Sequence, residues 1–188
     1  MSNKLYVGMT GRAGSGKDYV ADALMSALAE SNISSSKVPF AAGVREEIES
    51  ELIGYGQELP RLHIKPTSDA VRRLLQWWGT DFRRAQDPDY WVNWARESAE
   101  EADVDVVFFT DTRFDNEVDF ILNDYGIVFK VLANPSTREA RIGPVPDHAS
   151  EQLADSLPFH MAIHNNKQYE PLEISYALEM IRRRVRRS

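Results

Sequence analysis

The residues with the clearest chemistry lie near the amino terminus. The run Gly11-Arg12-Ala13-Gly14-Ser15-Gly16-Lys17 matches the pattern G-x-x-x-x-G-K. Glycines let the backbone curl so that several N–H groups point at phosphate oxygens, and the start of a following helix adds partial positive charge. Lys17 can then neutralise the β- and γ-phosphates of a nucleoside triphosphate. The run therefore predicts a triphosphate-binding loop, and a glycine-rich helix start without a ligand is the alternative.

Two aspartates could hold Mg²⁺ near such a loop. The residue after the lysine is Asp18, where Ser or Thr is usual; a carboxylate is also a hard oxygen ligand, although it could merely complement the helix N-terminus. Asp111 follows the apolar run Val106–Phe109, at the carboxyl edge of a predicted strand, where ligands bind in open α/β sheets. Asp111 could hold the metal through water, orient an acceptor oxygen, or pair with Arg113 to cap a helix.

Transfer of a phosphoryl group between two anions needs several cations, because the transition state spreads negative charge over approaching oxygens. Arg113 would lie beside Asp111 and could bind the phosphate of an acceptor. Each of the remaining cationic candidates could equally be a solvated surface residue. They are Arg45, Arg72 and Arg73 with the neighbouring Gln76, and Arg138 and Arg141 in a polar, proline-bearing segment suited to a lid.

These residues must be positioned by strands that alternate with helices. The predicted strands are short apolar runs: Leu5–Thr10, Lys37–Phe40, Val104–Thr110, Ile127–Leu132 and Met161–His164. Between them, apolar residues recur at helical spacing, as in the stripe Val71, Leu74, Leu75 and Trp78, whose helix Gly79-Thr80-Asp81 should end. Alternation of this kind predicts a parallel sheet with helices on both faces.

Composition limits the class of protein. The chain has 188 residues, 43% of them hydrophobic, and no cysteine, which excludes disulfides, thiolate metal sites and a cysteine nucleophile. The net charge of −7 argues against a stable nucleic-acid partner. No signal peptide or membrane-length apolar run is evident, so we expect a cytoplasmic protein without a membrane partner. Residues 1–188 read as one domain.

Together these motifs resemble the bacteriophage-type deoxynucleoside monophosphate kinases, a branch of the P-loop nucleoside monophosphate kinases. The similarity covers most of the chain. Its motifs are Gly11 to Asp18 with Gly-Lys-Asp, Val71 to Gln76 with Gly79-Thr80-Asp81, Tyr90-Trp91-Val92, Asp111-Thr112-Arg113 with Glu117 downstream, His148 to Glu151, and Ile163 to Asn166.

The resemblance implies a three-layer P-loop fold with a mostly parallel five-stranded sheet. It also implies a helical acceptor-binding insertion at about 41–103 and a short lid at about 134–151. ATP would be bound by Gly11, Arg12, Ala13, Gly14, Ser15, Gly16, Lys17, Asp18, Tyr19 and Asn165. The acceptor would be bound by Arg45, Arg72, Arg73, Gln76, Trp91 and Arg113. The catalytic residues would be Lys17, Asp111, Arg113, Arg138 and Arg141, with Asp18 and Asp111 as metal ligands.

The implied reaction is ATP- and Mg²⁺-dependent phosphorylation of a deoxynucleoside monophosphate to the diphosphate. The resemblance also implies the host-cell cytoplasm if the chain is phage-encoded, and a homodimer is possible. Two alternatives stay open: a P-loop kinase for another phosphorylated small molecule, such as dephospho-coenzyme A, and a nucleotide-dependent switch or binding module. Arginines gathered from several separate segments favour a kinase over a switch.

Overall fold

The computed structural model describes residues 4–53, 62, 68–123, 125–143, 149–166 and 172–186. The strands are β1 (Leu5–Thr10), β2 (Ser35–Lys37), β3 (Val106–Phe109), β4 (Ile127–Leu132) and β5 (Met161–His164). They form one sheet in the order β2-β3-β1-β4-β5, and every pairing is parallel. Because this order reverses direction beside β1, the carboxyl end of β1 is a switch point, where ligands bind in open α/β sheets.

Helices connect the strands and cover both faces of the sheet. Their bounds are α1 (Lys17–Ala29), α2 (Phe40–Ile53), α3 (Asp69–Gln76), α4 (Tyr90–Glu101), α5 (Asp115–Asn123), α6 (Pro135–Ile142), α7 (Ala149–Ser156) and α8 (Ser175–Val185). One face packs on α1 and α8 and the other on α4 and α5. The predicted α/β architecture, with a parallel five-stranded sheet between helices, is therefore confirmed.

The central strands owe their place to their composition. The strands β1 and β3 are buried along their whole length, as expected for parallel strands covered on both faces. Their side chains alternate between two cores: Val7 and Met9 face α1 and α8, whereas Tyr6 and Val107 face α4 and α5. The end of β1 is thus rigidly held where the glycine-rich loop begins.

The prediction of a strand over Lys37–Phe40 was wrong in its position. The strand ends at Lys37, and Phe40 already begins α2. The cause is a long-range contact, because the backbone N–H groups of Phe40 and Ala41 donate to the two oxygens of Asp111. A carboxylate at this place satisfies donors that every helix start leaves unpaired.

The predicted end of the third helix at Gly79 was also wrong. The helix begins as expected, with the Ser68 hydroxyl accepting from Val71 N at 3.3 Å, but it continues as a π-helix over Trp77–Arg84. Gly79 is buried close to Val44, and its carbonyl accepts a 2.9 Å hydrogen bond from Trp91 Nε1. Tertiary packing therefore overrides the helix-ending tendency of Gly-Thr-Asp.

The segment predicted as a lid contains helical structure. It comprises α6 and the first residues of α7, whereas residues 144–148, including His148 of the resemblance, lie outside the described residues. Within the described ranges, none of the helices has both the length and the apolar character needed to cross a membrane.

Candidate active site

The glycine-rich loop joins β1 to α1 and leaves the start of that helix without a side-chain cap. Gly16 occupies the N-cap position with φ +87°, and a Cβ there would overlap the side-chain amide of Asn165. Gly11 has φ +133°, and a Cβ on it would overlap the Val131 carbonyl. Only glycine fits both positions. The local geometry is therefore that expected of a phosphate-binding loop at a helix N-terminus.

Lys17 folds back across this loop. Its Nζ donates to the carbonyl oxygens of Gly11 at 2.7 Å and Arg12 at 3.4 Å. Ser15 is buried, and its hydroxyl has no hydrogen-bond partner among the described residues. The ammonium group and a buried hydroxyl thus lie where the loop would enclose phosphates.

Arg141 of α6 ties the predicted lid to the loop. Its guanidinium donates to the carbonyl oxygens of Gly14 at 3.1 Å and Ser15 at 3.2 Å, and to the backbone and side-chain oxygens of Asn165 at 3.0 and 3.2 Å. Asn165 is itself buried and donates from Nδ2 to Ser15 O at 2.9 Å. The predicted ATP-binding residue after β5 and the predicted lid arginine therefore meet at the glycine-rich loop.

A cavity of about 240 Å³ lies between the loop and the lid. Arg12, Ser15, Arg138 and Asp155 line it together with the carboxyl end of β4. Arg12 pairs with Asp155 at 2.5 Å, and this guanidinium is the main cause that holds the pKa of the Asp155 carboxyl below its usual range. Lys130 and Arg138 lower the same pKa further. Cations therefore converge on this cavity, as a site for phosphates requires.

Asp111 lies at the carboxyl edge of the sheet, as predicted. Its Oδ1 accepts from Phe40 N at 2.8 Å and its Oδ2 from Ala41 N at 2.9 Å, so the carboxylate begins α2. Each carboxylate oxygen has a second lone-pair site, and the metal role of Asp111 stays a prediction. Asp18 is half-buried in the first turn of α1. Both groups are oxygen donors of the kind that Mg²⁺ prefers, in a setting where substrate phosphates would supply further ligands.

The turn that carries Arg113 is held by a buried carboxylate. Glu117 Oε2 accepts from Arg113 N at 2.6 Å and Phe114 N at 3.2 Å, while Oε1 pairs with Arg84 Nη2. Burial is the main cause that raises the pKa of Glu117 to about 7, against the opposing effects of Arg84 and the Arg113 amide. The backbone of Arg113 is therefore fixed while its side chain stays partly exposed.

The residues predicted for acceptor binding are only partly brought together. Arg45 makes structural contacts, because its guanidinium donates to Ala41 O at 2.8 Å and to Leu62 O at 3.2 Å. Trp91 is buried in the core with its indole N–H on Gly79 O, so the prediction that it binds the acceptor does not fit this placement. Of the other four, Arg113 lies in the turn described above. Three lie on α3 with partial or full exposure: Arg72, Arg73 and Gln76.

Sequence reasoning missed Arg84, Lys130 and Asp155. Lys130 lies on a central strand that reads as apolar, yet its buried side chain donates from Nζ to Asp155 O at 2.6 Å. Arg84 lies beyond the predicted end of its helix. Neither position carries a motif, although a charged residue inside the run Ile127–Leu132 was a visible irregularity.

The raised pKa of Glu117 predicts how the free energy of unfolding depends on pH. Its folded value of about 7 lies above its ordinary value of 4.5, so the folded protein binds this proton more tightly than the unfolded chain does. The stabilising contribution of Glu117 is therefore complete below about pH 4 and is lost as the pH rises through 7. Relative to Glu117→Gln, the free energy of unfolding of the wild type should fall by on the order of 2 kcal/mol between about pH 5 and pH 8.

Urea unfolding of both proteins over this range measures the difference. The exposed pair Glu179 and Arg183 on α8 provides a control, because Glu179→Gln should leave the pH profile of the wild type unchanged above about pH 5. A difference between wild type and Glu117→Gln that does not vary with pH would contradict the assigned pKa.

Comparison with a solved structure from Thermus thermophilus supports the fold. TT1252 from Thermus thermophilus aligns over 96% of this chain and 97% of its own, with 20% identity and a TM-score of 0.51. Shikimate kinases from Aquifex aeolicus and Bacteroides thetaiotaomicron align over 97% of this chain, and over 96% and 97% of their own, at 15% and 16% identity and TM-scores of 0.46 and 0.45. No curated protein matches the chain.

Comparison with family models indicates the family to which the chain is related. The model of phosphomevalonate kinase matches residues 9–126, well over half of the chain. The matched range includes the glycine-rich loop with Lys17, the helices α2 to α4, and the turn with Asp111 and Arg113. The chain, a P-loop kinase, therefore belongs to the phosphomevalonate kinase family.

Proposed function

We propose that this protein transfers the γ-phosphate of ATP to the phosphate of a deoxynucleoside monophosphate, giving ADP and the deoxynucleoside diphosphate. The observation that carries the proposal is that β1 and β3 are parallel neighbours, so the glycine-rich loop with Lys17 and the turn with Arg113 follow adjacent strands at one edge of the sheet. The lid residue Arg141 bonds to the same loop. A site of this kind can neutralise two phosphorylated substrates at once. That requirement separates a kinase with a phosphate acceptor from a nucleotide-binding switch.

The reaction needs positioning and charge neutralisation more than acid–base chemistry. An oxygen of the acceptor phosphate forms a bond to the γ-phosphorus as the bond from that phosphorus to the β–γ bridging oxygen breaks. The bonding electrons remain on the β-phosphate of ADP, where Lys17 and the loop N–H groups lower the cost of the charge. Arg113 would hold the acceptor phosphate, and Arg138 would face the transferred group from the lid. With a dianionic acceptor, no protein base is required.

Asp18 and Asp111 are the residues that would hold Mg²⁺, directly or through water. When bound, the ion would neutralise part of the negative charge of the substrate phosphates. The Asp111 carboxylate would then link metal binding to the start of α2, because it already binds the Phe40 and Ala41 amides.

The aromatic surface beside α3 favours a nucleotide acceptor. Trp77 is 51% exposed and stacks on Phe82, with ring centroids 5.6 Å apart. Trp78 lies edge-on to both rings. Exposed aromatic faces can stack on a base, and every base has a π-face. We therefore place the nucleobase on this side of the acceptor site.

Phosphomevalonate is the second candidate acceptor, and the family match favours it. It shares the acceptor phosphate but has no ring to stack. A panel of deoxynucleoside monophosphates, phosphomevalonate and dephospho-coenzyme A, each with ATP and Mg²⁺, separates these acceptors by product formation. Turnover of phosphomevalonate alone would replace the nucleotide acceptor, and ATP hydrolysis unchanged by every acceptor would support a switch.

Replacing Arg113 by alanine should raise the KM for the acceptor about 10- to 100-fold, because the site loses a charge-assisted contact to the acceptor phosphate. The KM for ATP should change less than about twofold. Steady-state kinetics with each substrate varied in turn measures both. Arg96 on α4, whose guanidinium bonds to Asn93 and lies over Phe120, gives the control Arg96→Ala. Wild-type kinetics in Arg113→Ala would show that the acceptor site is misplaced.

A further inference from the structure

We propose that Glu117 is a positioning residue for the acceptor: its buried carboxylate locks the Arg113 turn to Arg84 of the π-helix and so presets the Arg113 guanidinium for the acceptor phosphate. The inference rests on the proposed function of Arg113. It concerns a residue that touches neither substrate and acts through the backbone of its neighbours.

The Glu117 carboxylate bonds to two separate parts of the chain. Glu117 lies in the first turn of α5, and its side chain is only 2% exposed. One oxygen accepts from both Arg113 N and Phe114 N, and the other pairs with Arg84 Nη2. The N–H groups of a helix start and a guanidinium from another element thus converge on a single group. Any displacement of this carboxylate moves the backbone that carries the Arg113 side chain.

Arg84 is held in a fixed position by its neighbours. Its Nη1 donates to Pro88 O at 3.3 Å, and its guanidinium carbon lies 4.1 Å from the centroid of the Phe114 ring. Arg84 ends the π-helix that continues directly from α3, where Arg73 and Gln76 lie. Through Arg84, the Arg113 turn is therefore connected to the helix that carries the other predicted acceptor residues.

The turn that carries Arg113 has a second connection, to the start of α2. At its other end, Asp111 receives the N–H groups of Phe40 and Ala41 at the start of α2. The carboxylates of Asp111 and Glu117 thus connect this turn to two elements of the predicted acceptor region, α2 and the π-helix. Thr112 lies between them, fully buried, with its hydroxyl on Phe109 O at 3.1 Å.

The pair formed by Arg84 and Glu117 lies beside an open groove. Arg84, Phe114, Thr80, Pro88 and Asn116 line a surface groove of about 340 Å³. The buried ion pair therefore lies at the wall of an accessible cleft rather than deep in the core. A buried ion pair is weak evidence for stability, since an apolar replacement of similar volume often stabilises a fold equally well. Its geometric role toward Arg113 explains why charges are buried here.

The test compares Glu117→Gln with the wild type. Glutamine keeps one carbonyl oxygen for the Arg113 and Phe114 amides but loses the charge that holds Arg84. Because displacement of about 1 Å at a positioning group can cost about 10²-fold, we expect the KM for the acceptor to rise about 10- to 100-fold. The KM for ATP should stay within about twofold. Glu179→Gln, which removes a glutamate from an exposed pair with arginine on α8, should leave both constants unchanged.

A second variant separates positioning from stability. Glu117→Gln leaves the buried Arg84 guanidinium without a charged partner, so its effect on stability is measured separately from its effect on the acceptor KM. The double variant Arg84→Met with Glu117→Gln removes both charges, so its melting temperature should be close to that of the wild type. We expect its acceptor KM to remain at least about 10-fold raised. Recovery of the acceptor KM together with the melting temperature would show that Glu117 is only structural.

The failure of this inference is distinguishable from failure of the proposed function. If the wild type phosphorylates no acceptor of the panel, the proposed function is wrong. The positioning role is then measured by titrating inorganic phosphate against the NMR signal of the Arg113 Nε–H group in the wild type and the double variant. Phosphate binding at least about 10-fold weaker in the double variant would support positioning by Glu117, and equal phosphate affinity in the two proteins would overturn it.

Discussion

Replacing Lys17 by alanine is expected to lower kcat by about 10³-fold, with any acceptor that the protein uses. The Lys17 ammonium already lies on the inner side of the loop, within 2.7 Å of Gly11 O. Bound phosphates would replace Gly11 O as the partner of the Lys17 ammonium group. Without Lys17, only the loop amides would stabilise the negative charge that develops on the β-phosphate. The measurement is initial-rate formation of ADP at saturating ATP and acceptor.

The fold should survive this substitution, because Lys17 is half-buried at the first residue of α1 and makes carbonyl contacts within its own loop. A matched control is Lys4→Ala, which removes a lysine bonded to Ala99 O and Glu100 O at the opposite end of β1. This control should retain the kcat of the wild type. A Lys17→Ala protein with the melting curve of the wild type and a similar kcat would exclude the loop from catalysis.

The second large effect is expected at the lid. Replacing Arg138 by alanine should lower kcat by roughly 10³-fold or more, the range found when an arginine that faces a transferred phosphoryl group is lost. Arg138 lies on α6 and lines the cavity above the loop, together with Arg12 and Ser15. Because its charge would act mainly in the transition state, the KM values for ATP and acceptor should change less than about threefold.

The control for the lid is Arg183→Ala, which removes an exposed arginine paired with Glu179 on α8. It should leave kcat unchanged. If Arg138→Ala instead raises the KM for ATP and leaves kcat intact, Arg138 binds the ground state. The transition-state role would then pass to Arg141, whose guanidinium is at present held by Gly14 O, Ser15 O and Asn165.

Local patterns were sufficient for the parts of this protein that obey a short-range rule. The strands β4 and β5 have the predicted bounds, because an apolar run flanked by polar residues or turns leaves little freedom of register. The glycine-rich loop could be recognised because its glycines are required by the backbone path itself, at Gly11 and Gly16.

The acceptor side could not be read in the same way. Trp91 stands in a helical pattern that suits either a core or a binding surface, and only its tertiary packing against α2 and α3, with a hydrogen bond to Gly79 O, buries it. Arg45 has the composition of a phosphate-binding residue, yet carbonyl groups of Ala41 and Leu62 occupy its guanidinium. In each case the partner is distant in sequence or depends on a fold that the pattern does not encode.

The sequence by itself determined the class of the protein, because a strand, a glycine-rich turn and a lysine at a helix start suffice to build a phosphate-binding loop from local backbone geometry. The tertiary structure alone decided how the acceptor side is assembled. The π-helical continuation brings Arg84 to Glu117, and Asp111 starts α2 from the far end of β3. These contacts join residues 33 and 71 positions apart. Buried charges select such partners by proximity in the folded chain, which short-range periodicity cannot specify.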